Sequence, residues 1–152
     1  MSKLSIIVPV YNEATALTQV VEKLMASHCP VEREWIFVED CSTDGTKDIL
    51  RDLAKKHQFR LFEQPSNQGK GAAIIRGVKE ATGEIVVIQD ADFEYDPNDI
   101  PKLVQPIIEG RADVVYGSRF KRTGFQVHRT YHYLINRFLT LVSNLLSGLY
   151  LS

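Results

Sequence analysis

Two carboxylates one residue apart, Asp90 and Asp92, stand directly after the apolar run Ile85–Ile88. Hard divalent cations take oxygen ligands, and Mg²⁺ or Mn²⁺ readily bridges such a pair to diphosphate oxygens. Glu94 offers a third oxygen within reach. An Asp-x-Asp at a strand end is also an ordinary polar turn, so the pair alone leaves both readings open. A second group, Pro9, Tyr11, Asn12 and Glu13, closes the run Leu4–Val10. It combines a fixed backbone, a flat aromatic surface, an amide and a carboxylate, a set suited to a nucleobase or ribose. Asn12 reads equally well as the cap of the helix that follows. Asp40, inside Val38-Glu39-Asp40-Cys41-Ser42-Thr43-Asp44-Gly45-Thr46, suits a ribose or base edge, while Ser42 to Asp44 cap a helix and Gly45 eases the turn.

Two further segments carry phosphate chemistry. Asn67-Gln68-Gly69-Lys70-Gly71 opens a helix and reads either as a nest for an anion or base, or as a tight loop-to-helix junction. Arg119 in Gly117-Ser118-Arg119-Phe120, with Arg129 beyond it, suits bidentate contact with phosphate. Other chemistries are disfavoured. The first strand is not followed by G-x-G-x-x-G, and no G-x-x-x-x-G-K-[ST] occurs, which argues against dinucleotide and P-loop enzymes. His128 and His132 are spaced i, i+4 but lack the Glu of a zinc-binding H-E-x-x-H, and Cys41 has no C-x-x-C partner or evident base.

Alternating strands and helices must position these residues. Leu4–Val10 is a β-branched run of the kind a strand buried on both faces requires. Helical periodicity follows over Ala14–Ser27, with Leu17, Val20, Val21 and Leu24 on one stripe. The pattern continues with a strand at Glu34–Val38, a helix at Thr46–His57, a short strand at Phe59–Phe62, a helix at Lys70–Ala81 and a strand at Glu84–Gln89. Asp96 then caps a helix with Pro97 at its first position; Pro106 should kink or split that helix, and Ala112–Tyr116 closes the series as a last strand. Such alternation predicts an α/β fold with a mostly parallel sheet flanked by helices. Ligands of such sheets bind at the carboxyl ends of the strands, which puts the segments at 9–13, 39–44, 90–94 and 117–120 along one rim.

The chain has 152 residues, a net charge of −1 and 44% hydrophobic residues, enough for one domain with a real core. Disorder and a nucleic-acid-binding basic tail are excluded as whole-chain readings. Two cysteines and no recognisable leader predict a reducing, cytoplasmic setting. Charge is uneven: Asp113 is the last acidic residue, and the chain beyond it is basic and apolar. From Thr130 to Ser152 the only charge is Arg137. That stretch is too interrupted for a membrane span and reads as an interfacial helix at the inner face of the membrane, a helix packed on the sheet, or a self-association surface.

Taken together and in this order, V-P-V-Y-N-E, V-E-D-C-S-T-D-G-T, N-Q-G-K-G, Q-D-A-D-F-E and G-S-R-F resemble the family 2 glycosyltransferases of GT-A fold. The likeness is greatest to the polyprenol-phosphate branch, the dolichyl-phosphate mannosyltransferases and glucosyltransferases. The resemblance implies a Rossmann-like nucleotide-diphospho-sugar core over residues 1–120, with 121–152 as a helical tail of the same domain. It implies that Pro9, Tyr11, Glu13, Val38 and Asp40 hold the nucleoside, and that Asp90, Ala91 and Asp92 meet the diphosphate. A Mg²⁺ or Mn²⁺ ion would be held by Asp90, Asp92 and Glu94. Asp92 and Arg119 would carry catalysis, with Arg129 on the acceptor phosphate. The implied reaction moves a hexose, from GDP-mannose or UDP-glucose, to a polyprenyl phosphate with inversion; a saccharide acceptor and a non-catalytic nucleotide-sugar-binding domain are the alternatives. Glu39 and Cys41 stand where the family usually has Asp and Gly. Relatives continue beyond the position of Ser152, so the chain is expected to be a C-terminally truncated piece.

Overall fold

All seven residues of β1 (Leu4–Val10) are buried, which requires neighbours on both edges and cover on both faces. The computed structural model supplies both, and describes residues 3–92, 95–117, 138 and 140–145. β1 pairs in parallel with β2 (Arg33–Glu39) on one side and β4 (Ile85–Ile88) on the other, and β2 pairs in parallel with β3 (Arg60–Glu63). The strand order is β3-β2-β1-β4. Helices α1 (Leu17–Ala26), α2 (Thr46–His57), α3 (Lys70–Glu80) and α4 (Ile100–Ile108) follow the strands, with a 3-10 turn at Pro97–Asp99 before the last. This is the α/β architecture, parallel and helix-flanked, that the alternation predicts.

Side-chain parity divides the core. Leu4, Ile6, Val8 and Val10 of β1 join Trp35 and Phe37 of β2 in one cluster with Leu17, Val20, Val21 and Leu24 of α1, Leu50 and Leu53 of α2, and Ile100 and Val104 of α4. The opposite face carries Ile36, Val38 and Ala73, with α3 lying across β1 and β2. The approach is close: a β-carbon at Gly77 of α3 would sit 2.4 Å from Ile7 Cγ2. Glycine here is what lets the helix reach the sheet.

At the amino end of the sheet, Glu34 gathers hydrogen bonds from the Ser5 hydroxyl (2.6 Å), the Thr82 N–H (2.7 Å) and hydroxyl (2.8 Å), and Arg60 (3.2 Å). Burial opposes its ionisation, but these donors outweigh that and hold its pKa at about 2. The network ties β1, β2, β3 and the turn before β4 together.

Three expectations are corrected. Ala112–Tyr116 forms no strand; Val114 and Tyr116 are 64% and 80% exposed, because no described strand lies alongside to bury them. Of the two outcomes expected at Pro106, the split does not occur: α4 runs from Ile100 to Ile108 across it. It sits so near the C-terminus that the single lost bond leaves the helix continuous, and its carbonyl accepts the N–H groups of Arg111 and Ala112. Asn12 does not cap α1, which begins only at Leu17 behind Ala16. Asp96 does cap the turn at Pro97, accepting the Asn98 N–H at 3.1 Å.

The chain divides into two units, Met1–Val115 and Tyr116–Ser152. In the second, the described residues 138 and 140–145 are helical, and Phe138, Leu141 and Leu145 are exposed. No helix among the described residues is long and apolar enough to cross a membrane.

Candidate functional site

The carboxyl ends of β1, β2 and β4 open on one cleft of about 370 Å³. β1 and the turn after it contribute Pro9, Val10, Tyr11 and Glu13; the end of β2 contributes Asp40. The loop before α3 and its first turns add Asn67, Gly69, Lys70 and Ala73, and the end of β4 adds Asp90, Ala91 and Asp92. Seven residues singled out from sequence, Pro9, Tyr11, Glu13, Asp40, Asp90, Ala91 and Asp92, thus meet in one place. Val38 lies one step back, buried in the ladder between Pro9 and Phe62, and is not part of the lining. Glu94, Arg119 and Arg129 lie outside the described residues.

Asp40 is 2% exposed, and its carboxylate is largely occupied by the protein itself. Oδ1 accepts Gln64 Nε2 and the Gln68 N–H, both at 2.8 Å, and Oδ2 accepts the Gly69 N–H at 2.7 Å. A carboxylate has about four acceptor positions, so most of this one shapes the Gln64–Gly69 loop. Its neighbour Glu39 is fully buried and accepts the N–H groups of Cys41 and Ser42. That turn carries Cys41 at φ +59°, a left-handed conformation that glycine adopts most freely.

Asn12 acts as a clasp between rim loops. Its N–H donates to Ser42 Oγ (3.0 Å), and its Oδ1 accepts the Thr43 N–H (2.9 Å). Its φ of +54° is one that Asn tolerates. Beside it, the buried Thr46 hydroxyl donates to Asp44 Oδ1 (2.6 Å) and accepts the Glu13 N–H (2.9 Å). The Asp44 carboxyl is held below its usual range, chiefly by Thr46. Glu13 is pushed the other way, by burial first and then by repulsion from Asp92 and Asp44.

At the end of β4, Asp90 Oδ1 lies 2.6 Å from Lys70 Nζ. Lys70 is the first residue of α3, behind Gly69, whose φ of +85° suits glycine alone. From sequence this loop reads either as a nest for an anion or base or as a tight loop-to-helix junction, and Lys70 and Asn67 are not among the expected site residues. The signal was the N-Q-G-K-G motif, whose distance to Asp90 only the sheet reveals.

The donor set fits a divalent cation shared with a diphosphate. Two aspartates supply hard oxygens, and Glu13, raised first by burial, also feels the charges of Asp92 and Asp44. Among the described residues no cluster of three ligating side chains is assembled. A Mg²⁺-type site would use one or two carboxylates and complete its shell with water and substrate phosphate.

Comparisons with known proteins agree on a family. The family model described as Glycosyl transferase family 2 matches residues 5–149. A dolichol-phosphate mannosyltransferase of Pyrococcus furiosus is 34% identical over 122 residues, 80% of this chain and 34% of the relative. An undecaprenyl-phosphate 4-deoxy-4-formamido-L-arabinose transferase of Proteus mirabilis is 33% identical over 145 residues, 92% of this chain and 44% of the relative. Among solved structures, a mannosyltransferase from Pyrobaculum calidifontis in complex with GDP-Man and Mn²⁺ has a TM-score of 0.56 at 36% identity, covering 60% of this chain and 28% of that one. The chain spans less than half the length of the curated relatives it matches.

Proposed function

The chain belongs to glycosyl transferase family 2, and from that membership we infer that it carries the donor-binding core of an enzyme moving a hexose from a nucleotide-diphosphate sugar to a polyprenyl phosphate. The observation that carries this reading is the convergence of Tyr11, Glu13, Asp40, Asp90 and Asp92 on one cleft at the carboxyl rim of a parallel sheet. The two curated relatives are named as transferases of dolichol phosphate and undecaprenyl phosphate, which supports the acceptor.

In this reading Pro9, Tyr11, Glu13 and Asp40 hold the nucleoside, and Asp90, Asp92 and Glu94 hold a Mg²⁺ or Mn²⁺ ion with the diphosphate. A divalent ion supplies stabilisation of charge developing on the leaving nucleoside diphosphate. Asp92 orients the sugar, and Arg119 and Arg129 align donor and acceptor phosphates, contributing by positioning. An acceptor phosphate is ionised near neutral pH and needs no strong general base; its oxygen attacking the anomeric carbon directly, as the nucleoside diphosphate leaves from the opposite face, would invert that centre. The basic and apolar stretch 121–152 is assigned to the acceptor side, at a membrane surface.

The test is transfer of radiolabel from GDP-mannose or UDP-glucose, with Mn²⁺, into a solvent-extractable polyprenyl-phosphate product. Label appearing in the lipid phase, and lost with EDTA, supports the reading. Label moving only to a water-soluble acceptor replaces the lipid with a saccharide. Metal-dependent donor binding without transfer to either leaves a binding domain.

A further inference from the structure

We propose that Lys70 is a donor-sensing residue of this cleft: it holds Asp90 while the cleft is empty and turns to the diphosphate of the incoming donor, so that Asp90 becomes more available to a divalent cation when nucleotide is present. The inference rests on the donor-site reading above and adds to it a residue and an order of binding.

Three observations carry it. Lys70 Nζ and Asp90 Oδ1 are 2.6 Å apart, so one of the two aspartates best suited to a metal already faces a positive charge. The partners differ in exposure: the Asp90 side chain is 19% exposed and the Lys70 side chain 59%. The carboxylate is therefore the more enclosed partner, while the ammonium is carried on a longer stem that reaches solvent. A pair that exposed is weak and exchanges cheaply, and lysine is a compact point charge that follows phosphate readily. Finally, the ammonium enters the cleft from the first residue of α3, where the helix dipole adds partial positive charge next to any bound phosphate.

The consequence is a coupling between two ligands. With Asp90 held by Lys70, the free protein should bind a cation less well than it would without that ion pair. A diphosphate that attracts Lys70 frees Asp90 and brings phosphate oxygens of its own. Each ligand then raises the affinity for the other by the same factor, as linkage requires. The order protects the cleft from holding a cation unproductively.

Lys70→Met, Lys70→Arg and Lys79→Met separate this from general electrostatics, Lys79 being an exposed lysine in the last turn of the same helix. Mn²⁺ binding to the full chain is followed by electron paramagnetic resonance without nucleotide and with saturating GDP or UDP. Lys70→Met should bind Mn²⁺ alone roughly threefold to tenfold more tightly than the parent, and the enhancement by nucleotide should shrink by a similar factor. Lys70→Arg, which keeps the charge, should stay near the parent. If Lys70→Met matches the parent while the parent binds nucleotide with Mn²⁺, the proposal fails alone. It also fails if Lys79→Met reproduces Lys70→Met, since that makes the effect one of net charge. If the folded parent binds neither nucleotide with Mn²⁺, the donor-site reading falls and takes this inference with it.

Discussion

Asp40 Oδ2 accepts the backbone N–H of Gly69 at 2.7 Å, joining the end of β2 to the loop that opens α3. A residue predicted to touch the nucleoside is thus first a fastener of the cleft wall. Asp40→Asn replaces one acceptor oxygen by a donor facing N–H groups. Loss of such buried, charge-assisted bonds destabilises by about 2 kcal/mol. Urea denaturation should show that loss, and nucleotide binding should fall by more than a stability-matched variant elsewhere. Unchanged stability would mean that the loop does not depend on this carboxylate.

The Glu34 network gives a pH dependence. Its folded pKa of about 2 lies below the ordinary 4.5, so it contributes stability above the unfolded value, and that stability is lost as pH falls from about 4.5 toward 2. Allowing for screening at a site that is not fully enclosed, the contribution at pH 7 is about 2 kcal/mol. Glu34→Gln should lose that amount at pH 7, and the gap to the parent should narrow by pH 3. A gap constant across that range would remove the network as its cause.

Gly77 and Gly71 occupy the same helix with opposite surroundings. A β-carbon at Gly77 meets Ile7 at 2.4 Å, whereas at Gly71 it meets nothing within 4 Å. Alanine improves helix propensity at both by up to ~1 kcal/mol. At Gly77 overpacking by about 1 to 3 kcal/mol wins, so Gly77→Ala should lower the melting temperature and Gly71→Ala raise it. Equal shifts would show that α3 does not press on β1 as described.

Much of this molecule can be read in advance because its information is local. β1 reads as a fully buried central strand because every residue from Leu4 to Val10 suits one, and Thr46–His57 carries its own periodicity and turn. Failures occur where a distant partner decides. Ala112–Tyr116 has strand-like residues but no described neighbour, so propensity alone does not make it a strand. Asn12 has the chemistry of a cap, yet it bonds Ser42 and Thr43, 30 residues or more away. Lys70 and Asp90 are both visible as chemistry, but their pairing depends on how α3 lies across the parallel sheet.

Cys41 occupies a left-handed conformation, φ +59°, that β-carbon sterics disfavour and glycine adopts freely. The Glu39 carboxylate holds the turn through the Cys41 and Ser42 N–H groups, bonds that a glycine would keep. Relief of the strain is worth about 1 kcal/mol. Cys41→Gly should therefore raise the melting temperature with nucleotide binding intact. A fall would mean that the thiol's packing near the Pro65 carbonyl outweighs the backbone term.

Glu13 reports the opposite kind of strain, because burial and the charges of Asp92 and Asp44 raise its pKa. For a carboxyl whose folded pKa is raised, the favourable contribution is fully present below the unfolded value and is lost as pH rises through the folded one. Burial first, and then the charges of Asp92 and Asp44, therefore disfavour the ionised form of Glu13 in the folded protein. Structural residues are selected for folding, whereas a cation-binding pair keeps such repulsion until a cation relieves it. Asp92→Asn should consequently remove one of the lesser causes of the Glu13 shift, lowering its titration part of the way toward the ordinary carboxylate range, and abolish Mn²⁺-dependent nucleotide binding. A carboxyl titration followed by NMR checks the first, and isothermal titration of GDP and UDP checks the second. An unmoved Glu13 titration together with retained binding would take Asp92 out of the metal site.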